Sequence, residues 1–375
     1  MERKPIVGMT DEAFDSLVWD AIKSGNAGDV FDDFIGENAD GEPPALNFTT
    51  VLSLAGNPLL YIAKHANARV QQATAGSTSA IRFSNASSGK FVVSAWPTAE
   101  AGVYHLVSTA PASDATWQKV ERWIANASPD VSRFFLDRDD FDDIVEALSA
   151  AGDVMVNRLT WHTREDRTST HRGFPEHPLA REAIRQIIEL EGGVQIRTAH
   201  LVVVLADEPP VLRTYLRRQA GASFNGGDFA LFAAKVLDRL AAAGSRRITL
   251  LHGRERQIGQ RPPAPVSVKF YDAYFDDADD TARLVHELIR YRHGDVAVLH
   301  RNPYLHLVVT DYTDGSSFDV FVTENDEISM YGGYKASVGA TARLTEFLSD
   351  RFAAEELRAG TKPKPATLEE LFAAG

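Results

Sequence analysis

The chain has no cysteine. That excludes disulfides, thiolate zinc sites, iron–sulfur clusters and a cysteine nucleophile, and removes any sign of a secreted disulfide scaffold. Long apolar runs are missing too. The longest lies near residues 201–206, far short of a bilayer span. Residues 1–10 are polar and lack the apolar centre of a signal peptide. The expectation is a cytoplasmic protein without membrane contact.

Familiar catalytic motifs are lacking as well. Gly89-Lys90 has neither the glycine spacing nor the hydroxyl of a phosphate-binding loop. There is no dinucleotide fingerprint and no Gly-x-Ser-x-Gly elbow. His286-Glu287 is followed by Arg290 where a zinc-protease helix needs its second histidine. No cofactor and no metal site is expected.

What is present describes an ordinary globular chain of 375 residues, 44% hydrophobic and 24% charged, long enough for two or three domains. Lysine is scarce, 10 residues against 29 arginines. With abundant alanine, that ratio points to a GC-rich bacterial genome, which gives arginine richness a bland origin. The net charge of −13 is unevenly spread: −11 over residues 1–155, +6 over 156–262 and −8 over 263–375. A basic middle fits a surface for an anion, or segments that neutralise one another.

Periodicity gives an α+β reading. Thr10 caps a helix over about 11–24, with Phe14, Leu17, Val18, Ala21 and Ile22 as its stripe. A helical stretch over 46–70 is broken at Gly56-Asn57-Pro58. Strands are expected at 80–84, 90–96 and 103–108, then helices at 114–126 and 138–151. Asp139, Asp140, Asp142 and Asp143 in the latter read as a solvated face at the positive helix end. A strand at 154–162, a polar loop at 163–178, a helix at 179–191, and strands at 194–206 and 211–219 follow. Asp228 caps a helix over 229–243, and 246–252 reads as one more strand.

The run Arg261-Pro262-Pro263-Ala264-Pro265 is the clearest boundary, because it can continue neither a helix nor an interior strand. Beyond it come a strand at 266–271, a helix at 281–293, and a four-strand meander at 296–300, 304–311, 317–323 and 327–331. Asp314-Gly315 and Asn325-Asp326 mark its hairpins. A helix capped by Ser337 runs to Phe352.

The expected fold is therefore three antiparallel β-meander units, each followed by a helix. Their near-even spacing raises an internal repeat; the competing reading is that short sheets with helices on one face are simply common. The expected divisions are an acidic domain 1–152, a basic middle domain 153–262, a C-terminal domain 263–360, and a linker with a short tail helix at 361–375. In the tail, Leu368, Leu371 and Phe372 share a helical face suited to a protein partner.

Three constellations could carry chemistry. His162, His171 and His177 crowd one loop with Glu165 and Asp166, where metal or acid–base work would need them to converge. His300 and His306, with Tyr304 and Asp311, could face each other across a hairpin. The third is the basic middle: Arg213, Tyr215 and Arg217 alternate onto one strand face, with Arg197, Arg246, Arg247, Arg254 and Arg256 around them. Arginine grips phosphate bidentately and tyrosine stacks on a base, so these residues form the candidate nucleic-acid surface. The functional expectation is a bacterial, non-enzymatic binding or adaptor protein in a larger complex, contacting nucleic acid through this arginine-rich middle. The alternatives are a hydrolase or nuclease using the His162/His171/His177 loop, and a purely structural subunit.

Overall fold

The computed structural model describes residues 10–24, 44–66, 70–75, 78–85, 89–110, 115–163, 169–191, 194–205, 209–270, 275, 278–301, 304–324 and 326–360. Its elements in chain order are α1 (Asp11–Lys23), β1 (Leu46–Leu52), α2 (Pro58–Ile62), β2 (Val70–Ala75), β3 (Thr78–Asn85), β4 (Gly89–Pro97), β5 (Val103–Ser108), α3 (Ala115–Asn126) and α4 (Arg138–Ser149). Next come β6 (Asp153–His162), β7 (Thr170–Gly173), α5 (Ala180–Glu191), β8 (Gln195–Val204), β9 (Leu212–Arg217), β10 (Gly221–Gly227), α6 (Phe229–Phe232) and α7 (Asp238–Leu251). The last are β11 (Val266–Lys269), α8 (Ala278–Leu288), β12 (Gly294–His300), β13 (Leu305–Asp311), β14 (Ser317–Glu324), β15 (Glu327–Gly332), α9 (Val338–Phe352) and β16 (Glu356–Ala359). The class is α+β, as the periodicity indicates. No helix among the described residues is long and apolar enough to cross a membrane.

All strand pairings are antiparallel and form two sheets, ordered β2-β3-β4-β5-β1-β10-β9-β8-β6-β7 and β12-β13-β14-β15-β11-β16. The division at 152/153 falls within the first sheet, because β1 pairs with β10, Phe48 opposite Ala222. The proline run before 266 separates the sheets, since every strand of the second follows it. The first and third units share one topology: a strand, a helix, four meander strands and a helix, with the last meander strand beside the first strand. The middle unit differs. Its meander has three strands, and β6 lies beside β8, the first of them.

Several segments depart from their expected state: the polar loop expected at 163–178 holds strand β7, and strands β2, β10 and β16 were not expected. Residues 46–52 are strand β1, not helix. All seven are buried, so the alternation that marks a half-exposed strand is absent, and pairing on both sides overrides local pattern. Residues 246–252 are not a strand. They mostly continue α7, reached from α6 through a π turn at Ala233–Leu237. The β-rich run Ile248-Thr249-Leu250-Leu251 is carried by helical burial of Leu240, Ala243, Gly244, Arg247 and Leu251 at three- and four-residue spacing.

One core cluster joins α1, α4, α5, α6 and α7 to the first sheet and extends into the second; a smaller one lies between α2, α3 and β3–β5, around Trp117 and Phe83. In α1 the inward stripe is Phe14, Val18, Trp19 and Ile22, while Leu17 is 41% exposed.

The α4 acidic run is only partly solvated. Asp137 caps the helix and Asp140 completes a capping box; both are buried on Arg247, whose Nη2 donates to Asp137 Oδ2 at 2.7 Å and Asp140 Oδ2 at 2.5 Å. Arg246 Nη2 donates to Asp140 Oδ1 at 2.7 Å. Removing the inner cation would leave buried Asp137 without a cation and Asp140 with Arg246 alone. Arg247→Met is therefore expected to cost about 3–5 kcal/mol in urea unfolding, against about 1 kcal/mol or less for the half-exposed Arg246→Ala.

Two buried titratable groups oppose one another. Burial pushes the Asp15 carboxyl up to about 6, against hydrogen bonds from the Val92 amide and Thr109 hydroxyl. Burial pushes His105, whose Nδ1 lies 3.1 Å from Thr50 Oγ1, down to about 4. Between about pH 4 and 6 the folded state keeps a proton on Asp15 that the unfolded chain has released, so this group lowers stability as pH rises. Between about pH 4 and 6.5 the unfolded chain holds a proton on His105 that the folded state lacks, so this group raises stability with pH. The two slopes offset in the native protein. Asp15→Asn should leave stability rising with pH over that range and His105→Gln should leave it falling; urea midpoints at pH 4.5, 5.5 and 6.5 would reject this if the slopes match the parent.

Candidate functional site

The first sheet is covered unevenly. On one face, α4, α5, α6 and α7 bury Val156, Leu159, Leu201, Leu212, Leu216 and Phe224. On the opposite face, α2 and α3 cover β3–β5 together with Val51 of β1. That second face continues past β1 across β10, β9, β8 and β6, where Thr198, His200, Tyr215 and Ser223 stay half-buried and Arg158 and Arg213 exposed, while Thr160, Val202 and Gly221 are buried. Cross-strand register sets two rows on this floor. One runs His171, Thr160, Thr198, Arg217, Gly221 and Thr49. The next runs Arg158, His200, Tyr215, Ser223 and Asn47.

In the second row the His200 and Tyr215 rings stack, with centroids 4.1 Å apart and planes 9° from parallel. Burial first, then the charges of Arg158, Arg213 and His177, holds His200 below the usual histidine range, so its ring is neutral at neutral pH. Arg158 and Arg213 are exposed, and neither has a carboxylate partner among the described residues.

The other arginines of the candidate surface are committed elsewhere. Arg197 Nη1 donates to Asp350 at 2.7 Å and meets His162 Nδ1 at 3.2 Å. Arg217 shares the face of Arg213 and Tyr215, but its guanidinium lies over Gly221 and donates to Ser223 Oγ, Asn47 Oδ1 and two backbone carbonyls. Arg246 and Arg247 hold α4. Arg254 donates to the Leu250 and Ala264 carbonyls, and Arg256 to Asp319. Of the proposed surface, Arg213 and Tyr215 stay on the open floor. Arg158 escapes sequence reading because β6 and β8 meet only after α5 intervenes, and His200 because the β8–β9 register that sets it opposite Tyr215 is not fixed by a short hairpin turn.

The histidines are spread out. His162 is buried against Arg197, His171 Nδ1 lies 3.1 Å from Thr160 Oγ1 on the edge strand, and His177 is exposed at a positive φ of 46°. Glu165 and Asp166 lie outside the described residues, as do Leu368, Leu371 and Phe372. Among the described residues no three His, Asp or Glu side chains are grouped to hold a metal ion. His300 and His306 do pair across β12 and β13. The acid on His306 is Asp319, 2.9 Å from Nε2, rather than Asp311. Residues 306 and 311 are an odd number apart on one strand and so point to opposite faces; Asp311 is buried with Tyr291 and Arg343.

Where β8 starts and β9 ends, α9 borders a cleft of about 200 Å³, lined by Arg197, Arg217 and Arg218 on one side and by Glu346, Ser349 and Asp350 on the other. Arg218 and Glu346 were not singled out by sequence; they meet only through the docking of the second sheet's helix.

Set beside family models, curated proteins and solved structures, the chain matches none.

Gly221 is fixed by its neighbour. A Cβ there would stand 2.7 Å from Arg217 Nε and 2.9 Å from Nη2. Gly221→Ala must displace the guanidinium from its four acceptors and is expected to lower stability by about 1–3 kcal/mol. An Arg217→Met, Gly221→Ala double variant should lose less than the sum of the singles; additive losses in urea unfolding would refute the contact.

Proposed function

We propose that the protein is a non-enzymatic binding protein whose ligand face is the open floor of β6, β8, β9 and β10, and that single-stranded nucleic acid is its ligand. The observation that carries this reading is the stacked His200–Tyr215 pair flanked by Arg158 and Arg213, two arginines without carboxylate partners among the described residues. Aromatic rings on a sheet offer stacking surfaces that any base can use, and flanking guanidiniums suit the phosphates between bases. With a neutral His200, the floor's charge comes from arginine and persists across the physiological pH range.

The smaller reading, a hydrolase on the histidine loop, has less support, since His162 and His171 have separate partners and His177 lies in a turn. Contact with a protein partner through Leu368, Leu371 and Phe372 remains part of the proposed adaptor role.

Fluorescence anisotropy with a labelled single-stranded oligonucleotide tests the proposal. The intact chain should bind at low salt and weaken moderately as salt rises, as two phosphate contacts require. Arg158→Ala and Arg213→Ala should each weaken binding and reduce the salt slope by about one, whereas Arg256→Ala, whose parent side chain is paired with Asp319, should not. No binding at low salt, or equal binding by all three variants, would sink the reading.

A further inference from the structure

The cleft under α9 has a charge pattern that the rest of the protein does not explain. Its cationic wall carries three guanidiniums, of which, among the described residues, only Arg197 is in ion-pair contact with a carboxylate, Asp350 at 2.7 Å. Arg217 donates only to uncharged oxygens: Ser223 Oγ at 2.7 Å, the Phe48 carbonyl at 2.9 Å, the Ala222 carbonyl at 3.1 Å, and Asn47 Oδ1. Arg218 Nη2 donates to Ser349 Oγ at 2.6 Å and the Ala354 carbonyl at 2.9 Å, and Phe135 lies under the guanidinium, 4.8 Å from its centre. Its Nε and Nη1 have no acceptor among the described residues. Burial presses both groups below the ordinary guanidinium range, to about 10 for Arg217 and about 9 for Arg218, yet leaves both charged at neutral pH.

Two recessed guanidiniums lining one cleft with no carboxylate in ion-pair contact among the described residues, Glu121 acting on Arg217 and Asp137 and Asp350 on Arg218 only from further off, are unfavourable by themselves. An arginine placed in such a setting gains most from a counter-anion with two coplanar oxygens. Across the cleft stands an acid with the reverse deficit. Glu346 keeps 20% of its side chain exposed, and its only ion-pair partner among the described residues is Arg133 Nε, at 4.0 Å. Burial and the neighbouring Asp350 push its carboxyl up, despite the attraction of Arg133. The cleft therefore presents unmatched positive charge on one wall and an under-matched acid on the other. A volume of about 200 Å³ has room for a small molecule and not for a polymer.

We propose that this cleft is a binding site for a small zwitterionic carboxylate, a free α-amino acid being the simplest of that class, with its carboxylate on Arg217 and Arg218 and its ammonium toward Glu346. The site is independent of the floor reading above, because Arg158, His200, Arg213 and Tyr215 do not line it.

The test is thermal melting and titration calorimetry of the full chain with the common α-amino acids, with acetate and inorganic phosphate at matched ionic strength as comparison arms. At least one amino acid should raise the midpoint by a few degrees in a saturable manner, beyond either comparison anion. Glu346→Gln keeps the side-chain shape but not the charge. It should weaken amino-acid binding at least tenfold and leave acetate binding equal or tighter. Arg218→Gln should abolish both; if it fails to fold, the Glu346→Gln comparison decides alone. The proposal is overturned if no amino acid stabilises the chain more than acetate, if phosphate is the sole stabilising ligand, or if Glu346→Gln binds the amino acid as the parent does.

Discussion

Strand β1 is the constraint on which the molecule turns. Its seven residues are buried on both faces and hydrogen-bonded on both edges, to β5 of the first unit and β10 of the middle unit. Without it, a four-stranded part (β2–β5) and a five-stranded part (β10, β9, β8, β6 and β7) would each expose a long unpaired edge. With it, they become one ten-stranded sheet, and α7 of the middle unit packs across β1 onto β5, Gly244 lying against Leu52 and Val103. On the face that α2 and α3 cover, no further helix among the described residues follows beyond β1, and His200 of β8 and Arg213 and Tyr215 of β9 keep solvent-facing chemistry. The open floor is a direct consequence of how β1 joins the two parts.

The acidic–basic–acidic pattern of the chain is largely resolved by pairing between segments. Arg246 and Arg247 of the middle hold Asp137, Asp140 and Asp143 of the first segment. Arg197 holds Asp350, and Arg256 holds Asp319, both in the last. Arg133 of the first lies between Glu121 and Glu346. Of the two explanations the composition allowed for a +6 middle, mutual neutralisation thus accounts for most of the arginines the sequence points to. Among the described arginines it leaves without a carboxylate partner are Arg158 and Arg213 on the floor and Arg217 and Arg218 in the cleft, with Arg172 over Phe174 and Arg254 on backbone carbonyls elsewhere.

Much of the fold could be read from the residues, and the failures share a cause. The final meander was legible because its strands alternate strictly and its turns carry Asp-Gly and Asn-Asp signals, which are local. Strand β1 and the last turns of α7 were misread because long-range burial decided them: β1 has no exposed face to alternate with, and α7 carries β-branched residues in a helix held by its inner contacts. The candidate site was legible to a similar degree. Strand period alone puts Arg213, Tyr215 and Arg217 on one face, but it cannot show that Asn47, 170 residues away, captures Arg217, or that His200 stands opposite Tyr215.

The leftover charges also bear on what could approach the floor. A chain of net charge −13 repels polyanions at long range, and at physiological salt that repulsion is screened within about 8 Å. Inside that distance an approaching ligand meets local charges, and on the floor these are Arg158 and Arg213 beside a neutral stacked pair. The balance favours ligands that make close, shaped contact over those held by diffuse attraction. An unstructured polyanion gains little from two cations in an acidic protein, whereas a ligand that lays rings against His200 and Tyr215 brings its anionic groups within reach of both arginines at once. Selectivity at such a surface would come from stacking geometry first and from charge second.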